Sequence, residues 1–484
     1  MLFSGFVLKF EKSRFSKEET MASKHSMDLT RGSVAKNLLI FTLPILLSNL
    51  LQQLYQCADI VVVGNFASDP TVSLAAVGST ASITNLFLNL FLGLAVGANV
   101  VCANLFGAGE RESLRRAMHS SILLAAAGGT VIGIAGYFAT PFLLREVMDS
   151  PADVIGQATD YMRIIFLGQP GSLVFNFGAG ILRSHGDTKR PMYILSATGI
   201  VNVIFNVIFV ACFGWDAAGV ALSTIISMYI SAGIVLWILF HPRGEFHLSF
   251  KELVLSQRET ANIVKIGIPC GLNGIIFSLS NIVIVKGLNA LGSTVLAGNS
   301  AASNVDTVTY QILTAFYSAA VSFAGQNYGA GNLKRIDKLL GWAIGLAVTF
   351  VLFADIFLFT FPEFFLRMFT KDAAVAAVGV SRIYMMGAGY VIYCVSEITI
   401  GCTRGMGKSL MPTVLNAFFI CVPRMIWVLA VYPALVNGDP VHDYVSLLWC
   451  YPISWFLSAT AQIIAYLYYR KEETKKLAAE AAPT

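Results

Sequence analysis

Asp59 is the first residue whose chemistry needs an explanation. It stands in LLIFTLPILLSNLLQQLYQCADIVVVG, residues 38–64, an apolar stretch longer than the about 20 helical residues that cross a bilayer. A carboxylate at such depth is costly unless it faces protein or water. An acid placed there carries a proton, holds a cation or closes an ion pair. On a helix, Ser48, Gln52, Tyr55 and Asp59 are spaced four, three and four apart and therefore line one face. That stripe is predicted to look into a cavity, with Gln52 and Tyr55 among its walls.

Four further charged residues fall in apolar stretches well away from their ends. Glu397 and Arg424 have opposite signs, and charges at such depths usually pair because either alone is costly. Two readings of them stand side by side: a second protonation or cation site, or a structural ion pair. Asp306, in SNVDTVTYQ, has polar neighbours at helical spacing and could line a cavity, whereas Asp355 is flanked by Phe and Ala and suits a peripheral or interhelical place. GMGKS at 405–409 lacks the first glycine of a phosphate-binding loop, since that position is Cys402, and no strand precedes it. The six histidines (25, 119, 185, 241, 247, 442) fall in predicted tails and loops without metal-ligand or Ser/His/Asp spacing. The eight cysteines (57, 102, 212, 270, 394, 402, 421, 450) form no C-x-x-C pair. No catalytic set emerges, so an enzyme is not expected, and the only metal the pattern allows is a sodium ion near Asp59.

The elements that position these residues follow from composition. Of 484 residues 56% are hydrophobic and only 13% charged, and the mean hydropathy is +0.69; soluble domains carry about a quarter charged. The chain is predicted to be an all-α polytopic membrane protein. Twelve apolar windows, 37–64, 75–104, 120–144, 161–182, 191–212, 218–240, 262–288, 294–323, 341–362, 382–402, 412–436 and 445–469, are read as transmembrane helices. Most of the 33 Lys and Arg lie in the tails and even-numbered loops, which places both termini in the cytoplasm. The net charge of +5 is accounted for in this way, and no basic patch interleaved with aromatics suggests nucleic acid. Residues 1–26 put their basic residues after the short apolar start, the reverse of a signal peptide, so a cytoplasmic tail is expected, with Met21 and Met27 as alternative starts.

The chain also repeats itself. NLFGAGERESLRRAM (104–118) matches QNYGAGNLKRIDKLL (326–340), ILRSHGDTKRPM (181–192) matches CTRGMGKSLMPT (402–413), and Pro44 stands opposite Pro269. Matches in one order at nearly one offset, across an even number of spans, indicate two parallel six-helix halves about an axis along the membrane normal. The predicted organisation is a tail (1–36), a first lobe (37–240), a polar cytoplasmic linker (241–261), a second lobe (262–469) and a tail (470–484).

These residues resemble the multidrug and toxic compound extrusion (MATE) family over nearly all of 27–470. The most specific pieces are GSVAKNLLIFTLPILL, the acid in YQCADIVVVG, the NLFGAGE loop and LRSHGDTKRPM with its partner TRGMGKSLMP. The resemblance implies an antiporter that exports amphipathic, often cationic compounds by alternating access, driven by proton or sodium entry, with no cofactor beyond that gradient. It implies a multi-pass protein of a bacterial cell membrane, acting as a monomer in lipid on drug-like small molecules. By position, Asp59 falls where the family has its first-span acid, Pro44 where its first helix bends, and Tyr161, Asn176, Asn202, Asn206 and Thr224 at or near its amino-terminal-lobe cation site. Two departures matter. Asn206 stands where well-known members have aspartate, and Phe277 where the NorM-like branch has a seventh-span glutamate, so the pattern is closer to the DinF-like one with one acid fewer. A sodium ion prefers several hard oxygens and commonly two carboxylates, which favours protons. Glu397 occupies the repeat position of Asn176, four residues from the NorM-like span-ten acid. A flippase of lipid-linked oligosaccharide, from the same superfamily, is the alternative; it calls for a more cationic cavity, for which Arg424 is the main candidate.

Depth supports the constellation separately. Asp59 lies about 22 residues, or about 33 Å, along its span; Asn206 lies about 15 residues into the fifth from the same side, and Thr224 about six into the sixth from the other. All three belong to one half of the bilayer, and Asn202 and Asn206 share a helical face. Asn176 lies nearer the opposite end. The plainer account of the Asn and Thr residues is that they bond neighbouring helices, at ~0.6 kcal/mol each.

Overall fold

The structure, a computed structural model, describes residues 27–148, 151, 153–241 and 247–480. The expected tail up to residue 26 and positions 242–246 of the expected linker lie outside the described residues. Among the described residues the regular elements are all helical.

Twelve long helical segments follow one another: α1 (Val34–Phe66), α2 (Pro70–Ala108), α3 (Arg111–Phe142), α4 (Ile155–Leu167 with Gln169–Ser184), α5 (Lys189–Cys212), α6 (Asp216–Phe240), α7 (Gln257–Asn289), α8 (Ser293–Gly329), α9 (Leu333–Thr360), α10 (Ala373–Gly405), α11 (Leu410–Leu435) and α12 (Pro440–Ala479). Ten are long and apolar enough to span a membrane by themselves, and α4 joins them when its halves are taken together across a 43° bend. The twelfth, α8, has the length but carries Asn304, Asp306 and Gln311. The all-α twelve-helix architecture in two six-helix lobes is the one the sequence predicts. Large apolar side chains such as Phe138, Phe353 and Leu429 stand on the outer surface, the arrangement of a protein whose solvent is lipid.

Local chemistry sets the helix ends. Pro70 occupies the first turn of α2, where its missing N–H costs nothing, and the Asp69 carboxylate accepts from the backbone N–H groups of Thr71 and Val72, both at 3.1 Å. Asp372 caps α10 likewise, accepting from Ala374 N–H at 2.8 Å. That cap starts α10 nine residues before the predicted 382, because an apolar window stops at a charge whereas a helix stops at its hydrogen bonds. Arg382 is therefore inside the helix. His119 is likewise a helical residue of α3 and is buried, not the loop residue expected.

Segment 247–256 is fastened to α3. The His119 Nδ1–H points at Arg115 O at 2.7 Å, leaving Nε2 to accept from Ser249 N–H at 2.9 Å. Arg115 pairs with Glu252 at 2.7 Å, and Ser256 N–H donates to Ser120 Oγ at 2.9 Å.

The chain forms two compact units, one of residues up to 31 with 47–267 and one of 32–46 with 268 onward. The sequence boundaries treated the first and seventh helices as whole; the structure divides both, each within three residues of its internal proline, Pro44 or Pro269. A proline inside a helix removes one backbone donor and crowds the carbonyl four residues back, which makes these the weak points of two otherwise continuous helices.

Within the first unit, α3 meets the bend of α4 through glycines. A β-carbon at Gly129 would lie 2.6 Å from Pro170 Cα, and one at Gly133 2.8 Å from the Phe166 carbonyl oxygen. Small residues at such spacing let membrane helices approach backbone to backbone. Gly129→Ala is expected to lower stability by about 1–3 kcal/mol, the usual cost of overpacking. Its neighbour Gly128→Ala meets only the Phe91 ring at 3.7 Å and should be neutral. Thermal unfolding of the two variants in detergent makes the comparison.

Candidate functional site

The stripe on α1 does line a cavity, which lies within the first unit. Gln52, Tyr55 and Asp59 form one wall of a space of about 340 Å3 whose other walls include Asn176, Asn202 and Thr224. Ser48 is buried. Tyr55 lies flat on α5, its ring over Gly199, where a β-carbon would be 1.8 Å from the ring, and its hydroxyl donates to Ser196 O at 3.3 Å. Gly199 is thus the position that lets α1 and α5 close on one another.

Asp59 sits in a directed set of hydrogen bonds. The Asn206 side-chain N–H donates to Asp59 Oδ1, and Nδ2 also reaches Asn202 Oδ1 at 3.2 Å. The Asn206 side-chain carbonyl accepts from the Ser223 hydroxyl. Asn206 is fully buried, and both ends of its amide have a partner, Asp59 at the nitrogen and Ser223 at the carbonyl. Asn202 donates to Thr224 Oγ1 at 3.4 Å. Asp59 Oδ2 has no protein hydrogen bond among the described residues and belongs to a residue lining the cavity.

The backbone explains why these side chains meet. Thr198, Asn202 and Asn206 recur every fourth residue on α5, and Ser223, Ser227 and Ser231 do so on the facing side of α6, with Ser231 Oγ donating to Thr198 Oγ1 at 2.9 Å. Immediately after Asn206 the helix widens into a π turn, Val207–Cys212, a feature frequent at functional sites. Val62, Val63, Val210 and Val220 form an apolar cluster next to Asp59, and Tyr161 packs against it. Asn176, expected nearer the opposite end, lines the same cavity and donates to Ser172 O at 2.8 Å.

Ser223 escaped the sequence reading, although its spacing to Ser227 and Ser231 was visible.

The second unit holds charges of another kind. Asp306, a candidate for a cavity wall, is engaged by an arginine: Arg382 Nε donates to its Oδ2 at 2.9 Å, and both residues are buried. Asn299 Oδ1 accepts from Arg382 at 2.8 Å and from the Tyr444 hydroxyl at 3.0 Å, completing a closed cluster. Arg382 was missed because the window placed it at a loop end. Glu397 and Arg424 do not pair. Glu397 is hydrogen-bonded to Tyr393 and lies in the field of Arg404. Arg424, fully buried, donates from Nε to Ser454 Oγ at 3.0 Å and lies over the rings of Phe277 (5.0 Å) and Tyr451 (4.5 Å). Phe277, noted above as a missing acid, is thus a cation–π surface for this guanidinium. Asp355 is buried on α9 beside Thr309 of α8, the interhelical of the two places expected for it. Arg404, which the sequence reading placed at a cytoplasmic turn, is buried and donates to the Tyr317 hydroxyl at 2.7 Å and to Thr413 Oγ1 at 3.3 Å; Thr413 in turn donates to Pro269 O at 2.9 Å.

Comparison with known proteins agrees with the repeat and the fold. A protein of Bacillus subtilis named "Probable multidrug resistance protein YpnP" is 27% identical over 444 residues, covering 92% of this chain and 96% of its own length. A "Probable multidrug resistance protein NorM" of Thermotoga maritima is 26% identical over 405 residues, covering 81% and 84%. In three dimensions, a multidrug resistance MATE family transporter of the MOP superfamily in an outward-facing conformation aligns with a TM-score of 0.84 at 21% identity, over 92% of this chain and 98% of that one. This last likeness bears on the fold alone. The MatE family profile matches residues 44–208 and 269–427, beginning in each half at the internal proline. With both halves of the repeat matched, the chain belongs to the MatE family of membrane transporters.

Proposed function

We propose that this transporter exports amphipathic organic compounds by alternating access and that Asp59 couples export to proton entry. The observation that carries the reading is the hydrogen-bond line from Asp59 through Asn206 to Ser223, beside a cavity on which Asp59 presents its second oxygen. The multidrug names of its relatives support the substrate class, and both termini are placed in the cytoplasm on the charge bias.

The hydrogen-bond directions favour protons over sodium. Asn206 turns a donor, not an acceptor, toward Asp59, as an ionised carboxylate, which only accepts, requires. A sodium ion at that oxygen would gain no second hard ligand from Asn206, whereas a proton needs only the carboxylate. An ionised Asp59 accepts a charge-assisted bond from the amide, of the kind about twice as strong as a neutral one. Protonation weakens that bond and loosens α1 from α5 and α6, so α1 is free to bend at Pro44. A cationic substrate is drawn to the ionised form and released by the neutral one; coupling requires that difference in affinity between states. Asn176, Asn202, Thr224 and Tyr161 shape the same cavity or pack beside it, with Gln52 and Tyr55 positioned to meet substrate.

Two measurements in proteoliposomes test this. An imposed pH gradient should drive ethidium efflux and a sodium gradient alone should not; the opposite result overturns proton coupling. Asp59→Asn should reduce gradient-driven efflux to the level of protein-free vesicles, and full retained transport would sink the assignment. Ser223→Ala leaves the buried Asn206 carbonyl unpaired, at about 1–3 kcal/mol. Since Ser223 acts by positioning, this variant should keep efflux while displacing its pH profile; an unmoved profile with a lowered melting temperature would make Ser223 merely structural.

A further inference from the structure

A second recess, of about 380 Å3, opens in the first unit where the end of α4 and the start of α5 meet the last turns of α6. Arg190, Tyr193 and Ile194 of α5 face Ile234, Trp237 and His241 of α6 across it. Tyr193 and Trp237 are 58% and 59% exposed. Aromatic side chains on the outside of membrane helices mark the headgroup level, so this recess joins an apolar groove to the polar boundary of the bilayer. The Trp237 and His241 rings lie 5.2 Å apart at the polar end.

Arg190 is prepared for a ligand. Its Nε pairs with Asp187 Oδ2 at 3.2 Å, while Asp187 Oδ1 accepts from the Arg190 backbone N–H at 3.1 Å. The stem of the side chain is thereby fixed, and its two terminal amino nitrogens make no protein hydrogen bond among the described residues. A planar fork held in this way matches two oxygens of one phosphate. Lys189 beside it is exposed.

The repeat supplies an internal contrast. The second unit carries a groove between α11 and α12, of about 610 Å3, lined by Met411, Leu415, Phe456 and Ile464. The repeat offset of ILRSHGDTKRPM and CTRGMGKSLMPT sets Arg190 opposite Met411 and Ile194 opposite Leu415. The same groove is built twice; the second copy has Met411 at the position of Arg190, and the cation nearest it, Lys408 over the Tyr469 ring at 5.7 Å, is already paired with Glu473 at 3.2 Å.

We propose that the α5–α6 groove binds an anionic phospholipid, with the phosphate on the Arg190 fork beside His241 and an acyl chain along Ile194 and Ile234. This site is separate from the Asp59 cavity and does not depend on the coupling reading.

Native mass spectrometry of the purified full-length protein, with phosphatidylglycerol or phosphatidylcholine added to the detergent, tests the proposal. One phosphatidylglycerol should be retained per chain, favoured over phosphatidylcholine about fivefold, the factor that one basic side chain supplies at an anionic surface. Arg190→Met should abolish that preference. Ala197→Trp, which fills the groove from its exposed rim and leaves the Asp187 pair intact, should abolish retention and serves where Arg190→Met fails to fold. Equal retention of the two lipids, or a preference that survives in Ala197→Trp, overturns the site. So does inorganic phosphate displacing phosphatidylglycerol at equal concentration, which would make it a free-anion site, or retention of two copies, which would remove the distinction between Arg190 and Met411.

Discussion

A carboxylate oxygen turned into the protein inside a membrane needs a donor already in place, because no bulk water reaches it there. Asn206 meets that demand for Asp59, and it does so with a fixed sense: donor toward the acid, acceptor toward Ser223. Much of the first unit serves this one side chain. The four-residue rhythm of α5 brings Asn202 and Asn206 to the same face, α6 answers with serines at the same rhythm, and Gly199 removes the β-carbon that would hold the α1 ring of Tyr55 away. The π turn after Asn206 then releases α5 from strict α geometry just beyond the residue that has to be held.

The two units share an architecture and use buried charge differently. In the second, Asp306 and Arg382 satisfy one another and share Asn299 and Tyr444, a closed cluster with little left over for chemistry. Removing one partner of such a pair costs about 3–5 kcal/mol because the other charge stays buried. Arg424 has no carboxylate and is only partly satisfied, by Ser454, Asn281 and two aromatic faces, with one terminal nitrogen lacking a hydrogen-bond partner among the described residues. In the first unit Asp59 keeps one oxygen unclaimed on the wall of a cavity.

What the sequence made legible follows from which forces act locally. Hydropathy windows found twelve helices because burial in lipid acts on composition, and the repeat was visible because two copies of one fold keep their turn chemistry. Asp59 stood out because an acid in an apolar span has few innocent explanations. Partners were harder. Nothing local distinguishes Asp306 lining a cavity from Asp306 closing on Arg382 76 residues away, and Glu397 and Arg424, of opposite sign and similar depth, point to different neighbours. Arg382 itself was misplaced because a charge interrupts an apolar window without interrupting a helix that Asp372 has already capped. The role of Ser223 was hidden for a related reason, since a serine in a helix usually bonds its own backbone, and the Ser223 hydroxyl oxygen also lies 2.8 Å from Val220 O.

The division of α1 and α7 near Pro44 and Pro269 also bears on how such a chain can be cut and reassembled. Residues 32–46 belong to the unit that is otherwise built from 268 onward, while 257–267 belong to the unit built from 47 onward. A gene split in the polar linker would therefore yield two products that each lack a piece of their own unit and carry a piece of the other's. Each product of such a split would therefore carry its first-helix or seventh-helix segment without the unit that segment belongs to.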